Sequence, residues 1–228
     1  MSSDEFVLTL VLQVEKAERP AQTDALETGA RAVLAILADE RSVGEGEWAE
    51  AMRAWQDARI RKVVRRARGA EWRRAAALPG ITVTGGTAVV RVFPPVPLDE
   101  VPKDLAKLQV TGTDLEDPEE LPVLAAGVPV LWVNPGLTMS TGKTMAQVGH
   151  GAHLAWLALS DAARKSWQED NFTLAVRTAT PTRWQALLTT TLPVVQDAGF
   201  TEVEPGSRTV VAEVPHLLGQ EEHRPGPV

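Results

Sequence analysis

Gly29-Ala-Arg-Ala-Val-Leu-Ala-Ile-Leu-Ala38 and Gly149-His-Gly-Ala-His-Leu-Ala-Trp-Leu-Ala158 are one apolar run written twice, 120 residues apart. Gly29, Ala32, Leu34, Ala35, Leu37 and Ala38 match Gly149, Ala152, Leu154, Ala155, Leu157 and Ala158. The alignment runs without gaps from residues 9–38 onto 129–158. In the apolar stretch before the helix, Leu10 and Val11 stand opposite Val130 and Leu131. After a loop eight residues longer in the first half, the offset falls to 112. Trp55, Gln56, Val64, Arg65, Ala67 and Trp72 then match Trp167, Gln168, Val176, Arg177, Ala179 and Trp184. Tryptophan is rare, so two at matched spacing mark an internal duplication rather than a coincidence.

Each copy repeats one pattern. A β-rich run (residues 6–14; 128–133) leads into a helical run (23–38; 141–159). A tryptophan-bearing helix follows, then a strand (59–66; 172–178) and a helix starting near Trp72 or Pro181. Two short strands close the unit (81–84 with 88–92; 194–196 with 209–214). Strands alternating with helices predict an α/β protein. The expectation is two tandem copies of a small three-layer unit, each a mixed, mostly parallel four-stranded sheet flanked by helices. Together they would make a pseudo-dimer within one chain. The predicted division is 1–110, an acidic proline-rich linker at 111–127, and 128–228. The region from Phe93 to Gly127 carries six prolines and Asp114-Leu-Glu-Asp-Pro-Glu-Glu120, a composition that resists regular structure.

Composition bounds the function. The 228 residues contain no cysteine, which excludes disulfides, thiolate zinc sites and thiol catalysis. His150, His153, His216 and His223 form no persuasive ligand set, so neither metal nor cofactor is expected. The acidic start lacks the basic region of a signal peptide, and no apolar run approaches the roughly 20 residues that cross a bilayer. A cytoplasmic protein without a membrane partner is expected. The net charge of −7 argues at first against a polyanionic partner. Nine of the 23 basic residues, however, lie between Arg53 and Arg74, among them Arg61 and Arg65. The chain is dipolar, and tRNA backbone contacts through this segment stand beside a plain solvated face as its two readings.

The second copy carries polar groups that the first lacks. In Ser140-Thr-Gly-Lys-Thr-Met-Ala-Gln-Val-Gly-His-Gly-Ala152, Met145, Val148 and Ala152 form a packing stripe. Lys143, Gln147 and His150 form a second stripe at steps of 4 and 3. A lysine in the first turn adds to the positive end of the helix, where an anion would bind. Gly-Lys-Thr is not a nucleotide loop, because the earlier glycine is replaced by Leu137. The second constellation is Asp197-Ala-Gly-Phe-Thr-Glu-Val-Glu-Pro-Gly-Ser-Arg-Thr209, most of it missing from the first copy, where Gly85-Gly86 passes straight to Thr87. The first copy also has Thr23, Glu27 and Ala30 in place of Lys143, Gln147 and His150. Packing positions are shared while polar ones are not, which points to chemistry in the second copy.

At these residues the sequence resembles the type II peptidyl-tRNA hydrolase family. Gly142, Lys143, Ala146, Gln147, His150 and Ala152 match its G-K-G-K-x-A-A-Q-C-S-H-A-A motif. Asp197, Ala198, Gly199, Thr201, Pro205, Gly206, Ser207 and Thr209 match D-A-G-x-T-Q-x-x-P-G-[ST]-x-T. The resemblance implies hydrolysis of the ester joining a peptide or N-blocked amino acid to the 3′-terminal ribose of tRNA. It implies Asp197, Lys143, Gln147 and His150 as catalytic residues. Gly142, Thr144, Thr201, Ser207, Thr209, Arg61 and Arg65 would contact the substrate. The family works as a homodimer, so a duplicated chain implies a monomeric pseudo-dimer, with a homodimer as the alternative. The sequence also departs from the family: Asn134 and Gly136 stand where it has Arg and Asp, and Ser140-Thr141 replace the opening Gly-Lys. Met145, Val148 and Gly149 replace an alanine, the cysteine and the serine, and Glu202 replaces a glutamine. A catalytically weak or inactive tRNA- or protein-binding relative, or a hydrolase of another acyl ester on a nucleotide-like molecule, are the alternatives.

Overall fold

The first strand, β1 (Phe6–Gln13), is buried along nearly its whole length, as a central strand covered on both faces must be. The computed structural model of the chain describes residues 5–199 and 202–218. After β1 come α1 (Gln22–Ala38), α2 (Ala49–Asp57), β2 (Lys62–Ala67), α3 (Gly69–Ala76), β3 (Ile81–Thr84) and β4 (Val89–Val92). A two-residue β5 (Val96–Pro97) and a single-turn α4 (Lys103–Ala106) follow. The second unit repeats the order with β6 (Val130–Val133), α5 (Thr141–Ala158), α6 (Asp161–Glu169), β7 (Ala175–Thr178), α7 (Pro181–Leu187), β8 (Val194–Gln196) and β9 (Arg208–Glu213). A final turn, α8 (Pro215–Leu218), ends the described chain.

The two sheets have matching strand orders, β2-β1-β4-β3 and β7-β6-β9-β8, with β5 added beside β1. Their directions correct the expectation of a mostly parallel sheet. Only β1 with β2 and β6 with β7 are parallel; every other pairing is antiparallel. The cause lies in the connections. A parallel pair needs a long crossover, and α1–α2 and α5–α6 carry the chain to a neighbouring strand. Helices α3 and α7 carry it instead to the far edge, so β3 and β8 run parallel to the first strands without pairing with them. The closing strands of each unit are joined directly, by Gly85-Gly86 or by residues 197–207, and so form hairpins.

The matched tryptophans do the same structural work in both units. Trp55 Nε1 donates to the carbonyl of Arg61 at 2.8 Å, and Trp167 Nε1 to that of Thr173 at 2.9 Å. Each indole thus closes the turn before the parallel edge strand. In that turn Ile60 and Phe172 both adopt positive φ, 46° and 55°, a conformation rare for bulky residues. This turn delays the strands, so β2 and β7 start three residues later than the sequence pattern predicts.

A single core joins the units. Helix α1 packs on α5, and each helix also reaches across to the other unit, α1 to β7 and α5 to β2. The two helices form one layer between the two sheets, which explains why α1 is buried on almost all sides. Close crossing requires small residues: a Cβ on Gly149 would lie 3.1 Å from Val33 Cγ2. On the outer faces, α3 covers Val11, Ala67 and Phe93, while α7 covers Ala179 and Val211.

The acidic segment is irregular, as its composition predicts, yet it is pinned. Thr113 and Leu115 are 2% and 5% exposed. The Thr113 carbonyl accepts from Gly142 N at 3.3 Å, and Leu115 N donates to Thr141 Oγ1 at 3.0 Å. A few residues on, Gln22 N donates to the Glu116 carbonyl at 3.2 Å, and Asp117 accepts from Thr23 N and Oγ1 at 2.8 and 2.7 Å. The segment therefore supplies partners to the open N-H groups at the starts of both central helices.

Candidate active site

Helix α5 begins at Ser140, whose hydroxyl accepts from Lys143 N at 3.2 Å, and the polar stripe follows from the first turn. Lys143 Nζ donates to Asp197 Oδ2 at 2.7 Å. One turn later, Gln147 Nε2 donates to the same oxygen at 2.9 Å. The amide oxygen of Gln147 is held by Thr209 Oγ1 from β9 at 2.5 Å, so the amide cannot flip. The other carboxylate oxygen, Oδ1, accepts from Gly199 N at 2.7 Å. Lys143 and Asp197 are each about 10% exposed, so their attraction is little screened by water.

The loop that presents Asp197 depends on Gly199. Its φ is +77°, and an added Cβ would stand 2.4 Å from Pro205 Cγ. The chain then folds back so that Gly206 N donates to the Asp197 carbonyl and Asp197 N to that of Ser207, at 2.7 and 2.9 Å. Glu202 ties the loop to the helix start, accepting from Ser140 N at 2.7 Å and Ser140 Oγ at 2.8 Å. Asn134 spans Arg208 and Gly136 by hydrogen bonds of 2.7 and 2.8 Å. Beside this loop opens a cavity of about 440 Å³, lined by Gly136, Leu137, Gly199, Glu202, Pro205 and Ser207 among others.

The structure thus brings together Lys143, Gln147, Asp197 and Thr209, with Ser207 at the neighbouring cavity. Thr201 lies outside the described residues. Gly142 is buried under Thr113, and Thr144 Oγ1 donates to the Ser140 carbonyl at 2.9 Å, away from Asp197. His150 turns Nδ1 toward Lys62 of the first unit, 3.3 Å away. Arg61 pairs with Glu5 at 3.1 Å. Arg65 donates to the carbonyls of Ala106 and Leu108 at 3.1 and 2.8 Å, holding the end of α4. Two residues at the helix layer escaped the sequence pattern. Glu27 reaches 150 positions along the chain to Arg177, at 3.2 Å, and also accepts from Val176 N at 3.0 Å. Burial pushes its carboxyl above the usual range despite those donors. Lys62 is the other, a buried lysine on an arginine-rich strand with no local signal to set it apart.

The corresponding end of α1 is closed. Asp117 occupies Thr23, the counterpart of Lys143. Asp24 takes Gly86 N, Thr87 N, Thr87 Oγ1 and Ala88 N. Burial raises the Asp24 carboxyl, but these donors outweigh it and hold the group below its ordinary value. The first unit therefore has a carboxylate folded inward where the second has a lysine and a cavity.

Residues 128–217 match the family model of peptidyl-tRNA hydrolase PTH2. The match takes in the second unit from β6 to α8 and leaves the first unit outside it. No curated protein matches the chain. The matched region holds the whole Lys143–Gln147–Asp197–Thr209 arrangement. Among the described residues no group of three or more His, Asp and Glu side chains is disposed to hold a metal ion. No described helix is long and apolar enough to cross a membrane.

Proposed function

We propose that the PTH2 region cleaves the ester of peptidyl-tRNA, or of N-blocked aminoacyl-tRNA, releasing free tRNA. The observation that carries this is Asp197, held from three sides by Lys143, Gln147 and Gly199, the last of which lines the neighbouring cavity. Water attacks the ester carbonyl carbon as Asp197 takes one of its protons. The charge that develops on the carbonyl oxygen is stabilised by the Lys143 ammonium. Collapse breaks the bond to the ribose oxygen, which receives the proton, and leaves a carboxylic acid and tRNA. Gln147 fixes the carboxylate, and His150, Thr201 and Ser207 position the acceptor end. No step calls for a metal or cofactor.

The first unit, residues 1–110 with the strap at 111–127, takes the place of a second subunit, and the chain acts as a monomer in the cytoplasm. Its exposed Arg59, Arg68 and Arg73 suit the tRNA backbone better than Arg65, which donates to carbonyls within the protein, or Arg61 and Arg74, which pair with Glu5 and Asp104. Purified protein should cleave N-acetyl-aminoacyl-tRNA, with binding that weakens steeply as salt rises. Sedimentation should give a concentration-independent mass near 24.6 kDa. One observation favours a second reading, a tRNA-binding relative without turnover: Glu202 places a carboxylate on the helix start that an anionic group would otherwise use. Binding without cleavage would select it.

A further inference from the structure

Lys62 is 7% exposed and His153 is fully buried, and together with His150 they form a basic cluster between the units. Lys62 Nζ lies 3.3 Å from each of three atoms: the Ile60 carbonyl oxygen, His150 Nδ1 and His153 Nδ1. The His153 ring stacks on Trp55 at 5.0 Å, and Lys62 Nζ stands 4.6 Å from the same indole. His153 Nε2 is buried without a hydrogen-bond partner.

Two arrangements of protons meet these distances: an ammonium donating to all three atoms, which puts the His153 proton on the buried and partnerless Nε2, and a neutral amine, which avoids that orphan N-H. Burial pushes the Lys62 amine well below the usual lysine range, and it holds His153 neutral, down to about 2. Among the described residues no carboxylate pairs with the buried Lys62, and a neutral amine spares His153 an orphan N-H, so the neutral form is adopted. It has two N-H groups and one lone pair. One N-H must go to the Ile60 carbonyl, which can only accept. A buried N-H without an acceptor is the rarer defect in proteins, so His153 leaves Nε2 bare and carries its proton on Nδ1. That proton then points at the Lys62 lone pair. The remaining Lys62 N-H goes to His150 Nδ1, which therefore accepts, and His150 bears its proton on Nε2.

We propose that Lys62 is a positioning residue contributed by the first unit: it relays a hydrogen bond from His153 and fixes His150 as the Nε2-H tautomer. His150 lies on the Lys143–Gln147 stripe, one turn beyond Gln147. With Nδ1 committed to Lys62, it offers the acceptor end a donor of fixed orientation. This catalytic consequence rests on the hydrolase reading above; the hydrogen-bond chain does not. It also gives the first unit a role in the chemistry beyond burying a helix face.

Long-range 1H–15N spectra of the full chain report the two ring nitrogens of each histidine directly. At neutral pH we expect His150 as Nε2-H and His153 as Nδ1-H. Finding both rings in one tautomer, or His150 protonated on Nδ1, overturns the assignment. In Lys62→Met, His150 should move toward the mixed pattern of free imidazole, and kcat on N-acetyl-aminoacyl-tRNA should fall about tenfold or more with KM little changed. A pure Nε2-H His150 with unaltered kcat overturns the role of Lys62. Should Lys62→Met fail to fold, His153→Asn, whose amide N-H stands in for Nδ1-H, should keep the His150 tautomer while His153→Leu loses it; equal behaviour of the two overturns the relay. Absence of cleavage by the wild-type protein would remove the hydrolase reading and the catalytic role together, while the tautomers would still decide the hydrogen-bond chain.

Discussion

Lys143 and Asp197 meet at 2.7 Å across 54 positions of sequence, one on the first turn of α5 and the other at the end of β8. The pair joins a helix start to a loop, and each partner has a chemical task in the proposed hydrolysis. Lys143→Met or Asp197→Asn should lower cleavage of N-acetyl-aminoacyl-tRNA by about 10²–10⁴-fold. Each should also cost about 1–3 kcal/mol in urea denaturation, because a charged group loses a hydrogen bond with little water nearby. In the double variant the stability losses should be less than additive. Full turnover in either single variant would remove both residues from the chemistry.

Gly199 sets where Asp197 stands. Gly199→Ala combines a left-handed backbone with a Cβ 2.4 Å from Pro205. We expect destabilisation of about 1–3 kcal/mol and loss of most cleavage activity. The first unit should be untouched, so Trp55-region amide exchange is the control. An active, normally stable Gly199→Ala protein would mean that the loop is not held as described.

Glu27 links the helix layer to the far sheet. Removing it in Glu27→Ala leaves Val176 N and the Arg177 guanidinium short of an acceptor, since Arg177 is about one-seventh exposed. The expected cost is about 2–4 kcal/mol by chemical denaturation. Glu27→Gln keeps an acceptor and should lose less than half of that. Equal losses would place the effect in packing and not in the hydrogen bonds.

Acid should act through His153. Its folded value of about 2 lies far below the 6.5 of the unfolded chain. Between these values the unfolded state binds the extra proton, so the His153 contribution is fully present above about pH 6.5 and is lost as pH drops. His150, also held well below its ordinary value by burial, adds to the fall. The His153 slope approaches about 1.4 kcal/mol per pH unit. His153→Phe keeps a ring against Trp55 and removes the titration, so its stability should fall less than that of the wild type between pH 6 and 4. Parallel curves for the two proteins would exclude His153 as the source.

Element order was legible in the sequence because it depends on local periodicity and on rare residues. The run from Gly149 to Ala158 announced a buried helix, and Trp55 and Trp167 marked the turns that they close. The site was legible in part for the same reason: Lys143 and Gln147 share a helix face, and Asp197-Ala-Gly is turn chemistry wherever it occurs. Strand pairing was not, because α3 and α7 carry the chain past the first strand to the far edge, and the last strand of each unit returns as a hairpin arm between them. Nothing near Lys62 distinguishes it from the arginines around it. It acquires its partners only when α5 crosses β2, 88 and 91 positions away in sequence. Likewise Asp117, one acid among several in an irregular segment, becomes a helix cap only because that segment passes over α1. Local pattern determined the parts and the polar stripe. The packing of two units around one helix layer decided which of those polar groups touch, because burial between the units leaves each of them only the partners that the other unit provides.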